Sequence, residues 1–251
     1  MSKWPILKIG HLYPDLLDLY GDRGNVLALE ARCRWRGIET QVQHLSLGDD
    51  LNLSQIDILF LGGGSDREQS ILVKDLKCRE EELRRAVGEG LVVLSICGGY
   101  QLLGKYYQTG GGEKIPGLGI LNLWTVAGSK RLIGNVVVEQ NPPSLSEEKP
   151  QTLVGFENHS GKTYLGPDLS ALGKIQHGFG NNGEDGGEGV RYRNVFGTYL
   201  HGPLLPKNPH LADLLLQLAL ERRGYDHALP PLDDQLEKRA HRAILSRVLD
   251  A

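Results

Sequence analysis

Apolar residues in the first hundred positions form short strand-like runs separated by segments with helical spacing. The run at 56–61 is continuously apolar, as is typical of a strand buried on both faces, and Gly37 and Gly90 close the two helices. The predicted elements are a strand at 5–13, a helix at 25–36, strands at 38–45 and 56–61, a helix at 74–89 and a strand at 91–96. This alternation predicts an α/β fold in three layers, built on a mostly parallel, doubly wound sheet.

After Gly119 the pattern changes to strand-like runs separated by Pro-rich or Gly-rich connections. These runs lie at 120–126, 131–139, 152–157 and 190–200. They predict hairpins and added antiparallel strands. Residues 141–150 and 177–189 are rich in Pro, Gly, Asn and acidic side chains, which do not fill a core, so we expect two exposed loops.

The last part of the chain is helical in pattern. Apolar residues recur at helical intervals after Pro206, and a final helix is predicted over residues 233–249. We expect one domain over residues 1–225 and a C-terminal helical extension over residues 226–251.

Composition narrows the functional classes. The net charge of −3 without basic clusters argues against a nucleic-acid surface. No stretch reaches the ~18 apolar residues of a membrane span, and the first residues do not have the pattern of a signal peptide, so we expect a cytoplasmic protein. Three cysteines without close pairing predict free thiols rather than a disulfide framework.

The segment VVLSICGGYQLLG contains the strongest candidate for chemistry, Cys97. An apolar strand delivers this cysteine into two glycines and a short helix, an arrangement similar to a nucleophile elbow, where glycines relieve crowding and exposed amides favour the thiolate. The alternative is an inert buried cysteine at a strand end. Cys33 and Cys78 lie in predicted helices, where a cysteine is more often a core or boundary residue.

A thiolate nucleophile needs a base, and His201 is the best candidate among the eight histidines. It directly follows the apolar strand VFGTYL, and a Gly-Pro pair ends the run behind it. Because strand ends in an open α/β sheet converge on one rim, Cys97 and His201 are predicted to meet there. For His11 and His159 we favour structural, hydrogen-bonded roles.

Two glycine-rich turns are candidates for holding an oxyanion. One candidate donor is the amide of Gly98, directly after the nucleophile, and the other is the amide of Gly63 in the Gly62–Gly64 turn. On its own, the latter turn is a weak phosphate-loop or plain-turn signal, and no Gly-Lys-Ser/Thr follows it, so a Walker nucleotide site is not indicated.

The motifs LYPDLLDLYGDRGN, LFLGGGSDREQ, ICGGYQLLG, FENHSG and TYLHGP resemble the class I, triad-type glutamine amidotransferases. Within that class they are similar to the cobyric-acid-synthase-like branch and to its GatD subunits. The resemblance covers residues 6–223 and implies a flavodoxin-like domain, with Cys97 as nucleophile and His201 as general base. It also implies that Arg131 binds the glutamine carboxylate. The alternative for Arg131 is a surface charge, since Lys130 could make the same contact.

The same resemblance implies partners and an acceptor. GatD subunits form a heterodimer with a Mur-ligase-like subunit, MurT, in lipid II isoglutaminyl synthase, where ammonia from L-glutamine amidates the D-glutamate α-carboxylate of lipid II. ATP and magnesium are then expected on the ligase, and no metal or organic cofactor on this chain. Three alternatives stay open: a glutaminase for cobyrinate amidation, a cysteine peptidase or other thiol hydrolase, and a binding subunit with an inactive elbow.

Two positions depart from the class I pattern. Ser95 stands where many members have glycine, and Pro203 stands where they have the glutamate that orients the histidine. From the sequence, therefore, the triad is incomplete. A dyad, another acid such as Asp15 or Glu157, or the partner would compensate, and we favour the partner.

Overall fold

A computed structural model of the chain describes residues 4–140 and 151–249. It contains twelve strands: β1 (Leu7–Leu12), β2 (Thr40–Leu45), β3 (Ile58–Leu61), β4 (Val92–Ile96), β5 (Tyr106–Gln108), β6 (Lys114–Pro116), β7 (Leu123–Gln140), β8 (Thr152–Leu165), β9 (Gly173–His177), β10 (Gly187–Glu188), β11 (Val190–Tyr192) and β12 (Val195–Thr198). The α-helices are α1 (Gly24–Trp35), α2 (Asp66–Cys78), α3 (Glu80–Gly88), α4 (Gly98–Leu102), α5 (Pro209–Arg222) and α6 (Gln235–Leu249).

The first sheet has six strands in the order β11-β12-β4-β3-β1-β2. All neighbours are parallel except the antiparallel edge pair β11 and β12. The chain winds outward from β1 in both directions, so right-handed crossovers place the helices on opposite faces of the sheet. One group contains α1 and α5, and the other contains α2, α3 and α4. The predicted α/β class and mostly parallel sheet are confirmed.

The second sheet forms a separate layer built around the long hairpin of β7 and β8. Strands β5 and β9 both pair with the edge of β7 opposite β8, near its beginning and near its end, and β6 and β10 extend them. The β7–β8 register shifts between Ala127 and Leu132. Such an irregularity redirects the side chains beside it, which here include Arg131.

The C-terminal extension is attached to the domain by a cluster of ion pairs. Arg32 on α1 binds Asp213 on α5 and Asp234 just before α6, with N–O distances of 2.7 Å to each. Its guanidinium is buried, and its planar fork satisfies both carboxylates at once. The division of the chain at residue 225 stays a prediction.

Several element boundaries differ from the sequence prediction. The helix predicted over residues 74–89 is two helices that meet at Arg79, the strands predicted at 120–126 and 131–139 lie in the single long strand β7, and the strand predicted at 190–200 is the β11–β12 hairpin. Residues 127–131 of β7 are half-buried or exposed and interrupt the alternation of buried side chains, so hydrophobic periodicity alone reads one irregular strand as two.

The loop predicted at residues 177–189 is not fully exposed. Asn181, Asn182 and Glu188 within it are buried. The Asn181 side chain accepts from the amide of Gly189 at 3.0 Å and donates to that residue's carbonyl at 2.8 Å, which satisfies the buried amide group. The other predicted loop, 141–150, lies outside the described residues.

None of the helices within the described ranges is long and apolar enough to cross a membrane.

The turn after β3 is packed tightly, so a substitution within it tests the described fold. A Cβ added at Gly62 would lie 2.0 Å from the Leu17 carbonyl oxygen, a contact with backbone that no side-chain rotation relieves. We expect Gly62→Ala to lower the free energy of unfolding by at least ~1–3 kcal/mol, measured by chemical denaturation. Gly110→Ala is the control, because a Cβ there meets nothing within 4 Å. Equal stability of the two variants would contradict this packing.

Candidate active site

The candidate nucleophile occupies a strained turn between β4 and α4. Cys97 has φ 48° and ψ −106°, in the left-handed region that residues with a Cβ rarely adopt. A Cβ at Gly98 would lie 2.7 Å from the Gly64 carbonyl, and one at Gly99 would lie 2.8 Å from that of Gly62. The two glycines therefore allow the turn to pack against the end of β3, as expected for a nucleophile elbow.

Strand pairing brings His201 to the same rim. β12 lies beside β4 in parallel, and the Cys97 amide donates to the Thr198 carbonyl at 2.8 Å. His201 pairs through its backbone with Phe156 on β8. The chain then turns away at Gly202, which has φ +81°.

Gly63 marks the point where the site residues converge. A Cβ built on this glycine would lie 2.8 Å from His201 Cε1, 3.5 Å from Cys97 Cβ and 3.1 Å from Asp22 Oδ2. The structure therefore places the sulfur-bearing residue and the imidazole side by side, and it adds a carboxylate.

Asp22 is the carboxylate that orients the imidazole. Both of its oxygens lie 3.2 Å from His201 Nδ1, and both side chains are fully buried. This contact fixes the proton of the neutral ring on Nδ1 and leaves Nε2 for chemistry; Nε2 is buried and makes no conventional hydrogen bond with the described residues. Cysteine, histidine and aspartate thus form the arrangement of a catalytic triad.

The electrostatic consequence is a raised pKa for His201, to about 10. Burial acts in the opposite direction and lowers the pKa. The hydrogen bond with Asp22 and the interaction with Cys97 outweigh it, because both favour the charged ring. The raised pKa favours the charged form of the ring, which can act as a proton donor.

The expectation of an incomplete triad is corrected by Asp22. Asp15 accepts instead from the Ser46 hydroxyl at 3.2 Å. Glu157 accepts from the amides of Phe179 and Gly180 at 2.7 and 3.0 Å. An acid from within this chain occupies the orienting position, so none has to come from another protein.

The two departures from the class I pattern are accommodated without loss of the site. Ser95 is buried in β4 and donates its hydroxyl hydrogen to the Phe196 carbonyl at 3.3 Å. Pro203 packs against α1, where a Cβ added at Gly24 would lie 2.5 Å from its ring. Pro203 has no side-chain carboxylate, and the acid that contacts the histidine comes instead from the segment between β1 and α1.

The proposed oxyanion donors need one revision. The Gly63 amide donates to Asp22 Oδ2 at 2.8 Å, so it orients the carboxylate and is not free to bind a substrate oxygen. Gly64 lines the pocket beside Cys97. Gly98 is the first residue of α4, so its amide precedes the first intrahelical hydrogen bond. The amides of Gly64 and Gly98 are therefore the better candidates.

A pocket of about 320 Å³ opens in front of Cys97, between the rim of the first sheet and the β7–β8 layer. Arg131 lines it; its Nε donates to Asn158 Oδ1 at 2.7 Å. Lys130, the alternative to Arg131, does not line the pocket. The other residues that line the pocket are Leu19, Tyr20, Gly64, Ser65, Asp66, Arg67, Gln69, Gln101, Tyr107, Asn158, His159, Ser160 and Gly161.

Tyr20 covers His201 at the mouth of this pocket. Its ring meets the imidazole edge to face with centroids 4.8 Å apart, and its hydroxyl accepts from Asn158 Nδ2 at 2.8 Å. Tyr20 has φ 57°, so it too is held in a strained conformation by these contacts. Sequence reasoning missed both Asp22 and Tyr20, although LYGDRGN was among the motifs that pointed to the family.

The remaining histidines and cysteines have other environments. His159 stacks on Tyr199 at 3.6 Å, and its Nδ1 lies 2.7 Å from the Gly161 carbonyl, which agrees with a structural role. His11 is buried, but neither ring nitrogen has a hydrogen-bond partner among the described residues, contrary to expectation. Burial raises the pKa of Cys33 to about 12, whereas Cys78 is exposed at the end of α2.

Comparison with known proteins agrees with this geometry. The sequence model of the CobB/CobQ-like glutamine amidotransferase domain family matches residues 8–209 of this chain. The lipid II isoglutaminyl synthase (glutamine-hydrolyzing) subunit GatD of Staphylococcus aureus strain N315 is 42% identical over 96% of both chains. The same subunit of Streptococcus pneumoniae R6 is 42% identical over 92% of this chain and 88% of its own.

More distant relatives and a solved structure complete the comparison. A probable cobyric acid synthase of Methanothermobacter thermautotrophicus is 29% identical over 78% of this chain and 39% of its own length. A crystal structure described as a glutamine amidotransferase superposes with a TM-score of 0.55 at 21% identity, over 84% of this chain and 98% of that one. The latter likeness concerns the fold alone.

The Asp22 contact predicts the titration of His201. We expect Asp22→Asn to lower the His201 pKa from about 10 towards or below the ordinary 6.5, because burial then acts with one opposing partner fewer. NMR titration of the imidazole resonances measures the shift. Asp15→Asn is the control, since Asp15 contacts Ser46 and not the imidazole. A His201 pKa lowered by less than about one unit in Asp22→Asn would contradict the assignment.

Proposed function

Because the chain belongs to the CobB/CobQ-like glutamine amidotransferase domain family, we propose that it is the glutaminase subunit of a lipid II isoglutaminyl synthase. In this proposal Cys97 and His201 release ammonia from L-glutamine for a partner ligase. The single observation that carries the chemistry is the convergence of Cys97, His201 and Asp22 around Gly63, at the inner end of a pocket that Arg131 lines.

The first half of the cycle forms a thioester. The thiolate of Cys97 attacks the side-chain amide carbon of glutamine, and the amides of Gly64 and Gly98 hold the negative charge on the former carbonyl oxygen. The C–N bond then breaks as the His201 imidazolium gives its proton to the departing nitrogen, which leaves as ammonia. Asp22 keeps the ring oriented and stabilises its charged form.

The second half restores the enzyme. His201, now neutral, takes a proton from water, and the resulting hydroxide adds to the thioester carbon. Collapse of this intermediate expels the Cys97 thiolate and yields glutamate. No metal or organic cofactor takes part in either half.

The acceptor and the partner are proposed from the relatives. Two GatD subunits of lipid II isoglutaminyl synthase match this chain at 42% identity over 96% and 88% of their own length. We infer that this chain forms a heterodimer with a Mur-ligase-like subunit of the MurT type. That subunit binds ATP and magnesium and activates the D-glutamate α-carboxylate of lipid II, which ammonia converts to D-isoglutamine.

The alternatives have weaker support. The cobyric acid synthase above shares 29% identity, and the match covers 39% of its length, which does not favour corrinoid synthesis. A peptidase or other thiol hydrolase would use the same triad, but the labelling of Cys97 by the glutamine analogue diazo-oxo-norleucine distinguishes it. The complete triad does not favour a binding subunit with an inactive elbow.

Replacing the nucleophile tests the function. We expect Cys97→Ala to abolish glutamine-dependent amidation of lipid II by the complex, while added ammonium still supports it, because the ligase reaction needs only ammonia. Because the acid lies within this chain, the wild-type chain alone should release ammonia from glutamine, and Cys97→Ala should not. Cys78→Ala, which alters an exposed thiol far from the elbow, is the control. Glutamine-dependent amidation that survives in Cys97→Ala would refute the proposal.

Replacing the arginine tests substrate binding. We expect Arg131→Gln to raise the KM for glutamine about tenfold or more, with a smaller change in kcat, because the lost ion pair acts on the bound substrate more than on the reacting carbon. Lys130→Gln is the matched control, since Lys130 is the adjacent cation on β7 and does not line the pocket. Equal KM values for the two variants would indicate that Arg131 is a surface charge that does not bind glutamine.

A further inference from the structure

We propose that Asp66 binds the α-ammonium group of glutamine, so that Asp66 and Arg131 together recognise both charges of the amino-acid head. The inference rests on the proposed glutaminase function and extends it to a substrate-binding residue that sets specificity. A free amino acid carries one positive and one negative charge beside its side chain, and a selective pocket offers a counter-charge for each.

Asp66 is in the right place for this role. It is the first residue of α2 and directly follows the Gly62–Ser65 turn that packs against the Cys97 elbow. Among the residues that line the pocket in the described part of the chain, it is the only carboxylate. The positive side of the pocket has Arg131, held by Asn158, and Arg67 at the rim.

The carboxylate of Asp66 is oriented by the phenol of a buried tyrosine. The Tyr107 hydroxyl donates to Asp66 Oδ2 at 3.2 Å, and the Tyr107 side chain is 3% exposed. Burial and the Asp66 charge raise the pKa of Tyr107 to about 12, so the hydroxyl stays protonated and acts as a donor. Asp66 Oδ1 accepts no hydrogen bond within the described residues, which leaves it available for an ammonium group.

The same phenol relates the carboxylate to the nucleophile. Asp66, Tyr107 and Cys97 line the same pocket, so the carboxylate and the thiol face one cavity. Glutamine has only two methylene groups between its α-carbon and its reacting amide carbon. Its ammonium group must therefore bind close to the nucleophile, and Asp66 is the acid that satisfies this requirement.

A purely helix-stabilising role explains less. An acid in the first turn of a helix is favoured by the helix dipole wherever it points. In α2, however, Glu68 already completes the capping box with Ser65, whose amide donates to Glu68 Oε2 at 2.8 Å. Capping therefore does not require Asp66 to face the pocket or to bind Tyr107.

The test compares L-glutamine with 4-carbamoylbutanoate, which has the carboxylate and the reacting amide but no ammonium group. The measured quantities are the KM of the intact chain for L-glutamine and the KI of 4-carbamoylbutanoate as a competitor, which is obtained whether or not it is turned over. We expect Asp66→Asn to raise the KM about tenfold or more and to leave the KI within about twofold. Arg131→Gln should instead raise both constants, because both molecules carry the carboxylate.

Two further variants separate recognition from folding. Glu68→Gln removes a charge from the same helical turn, keeps a side chain suited to the capping box, and should leave both constants unchanged. Tyr107→Phe removes the hydroxyl that orients Asp66 and should raise the KM alone, by less than Asp66→Asn does.

The outcomes distinguish this inference from the proposed function. If wild type hydrolyses glutamine through Cys97 but Asp66→Asn changes KM and KI equally, or changes neither, the ammonium site is refuted and the glutaminase stands. If wild type releases no ammonia from glutamine, or Cys97→Ala still does, the glutaminase itself fails. A KM that rises alone in Asp66→Asn, with unchanged thermal unfolding, supports the assignment.

Discussion

The whole site depends on one buried carboxylate that makes two contacts. Asp22 holds the imidazole of His201 through Nδ1 and the backbone amide of Gly63 through Oδ2. The two contacts together offset the free-energy cost of removing the carboxylate from water, which a single partner would not cover. The glycine turn that follows β3 and the histidine that follows β12 are thereby fixed with respect to each other, on either side of the nucleophile.

Close backbone packing gives this arrangement its rigidity. Cys97 is held at positive φ, which is maintained only when its surroundings leave no alternative. Those surroundings are glycines: Gly98 and Gly99 approach the carbonyl groups of the turn after β3 at distances that exclude a Cβ. The strain at the nucleophile and the glycine content of the turn are therefore two aspects of the same packing, which keeps the thiol exposed to the pocket while its neighbours are buried.

The second sheet completes the pocket in front of Cys97. The rim of the parallel sheet carries Cys97, His201 and Asp22, whereas Arg131 and Asn158 come from the β7–β8 hairpin that lies over it. The shift in register before Leu132 occurs where Arg131 leaves the regular ladder. The pocket is thus lined by residues of both layers, and Tyr20 links them through its contacts with His201 and Asn158.

The sequence by itself determined the α/β class, the succession of strands and helices along the first hundred residues, and the candidates Cys97, His201 and Arg131. These were accessible because hydrophobic periodicity, glycines at element ends and short motifs are local signals. Only the tertiary structure decided which acid meets the histidine, that the Gly63 amide is occupied, that β7 is one bent strand, and that Asn181 and Glu188 are buried. Asp22 and His201 are 179 positions apart, and Gly63 is 41 positions from Asp22. No local pattern reports contacts of that range, because they arise only when separate strand ends are brought to one rim.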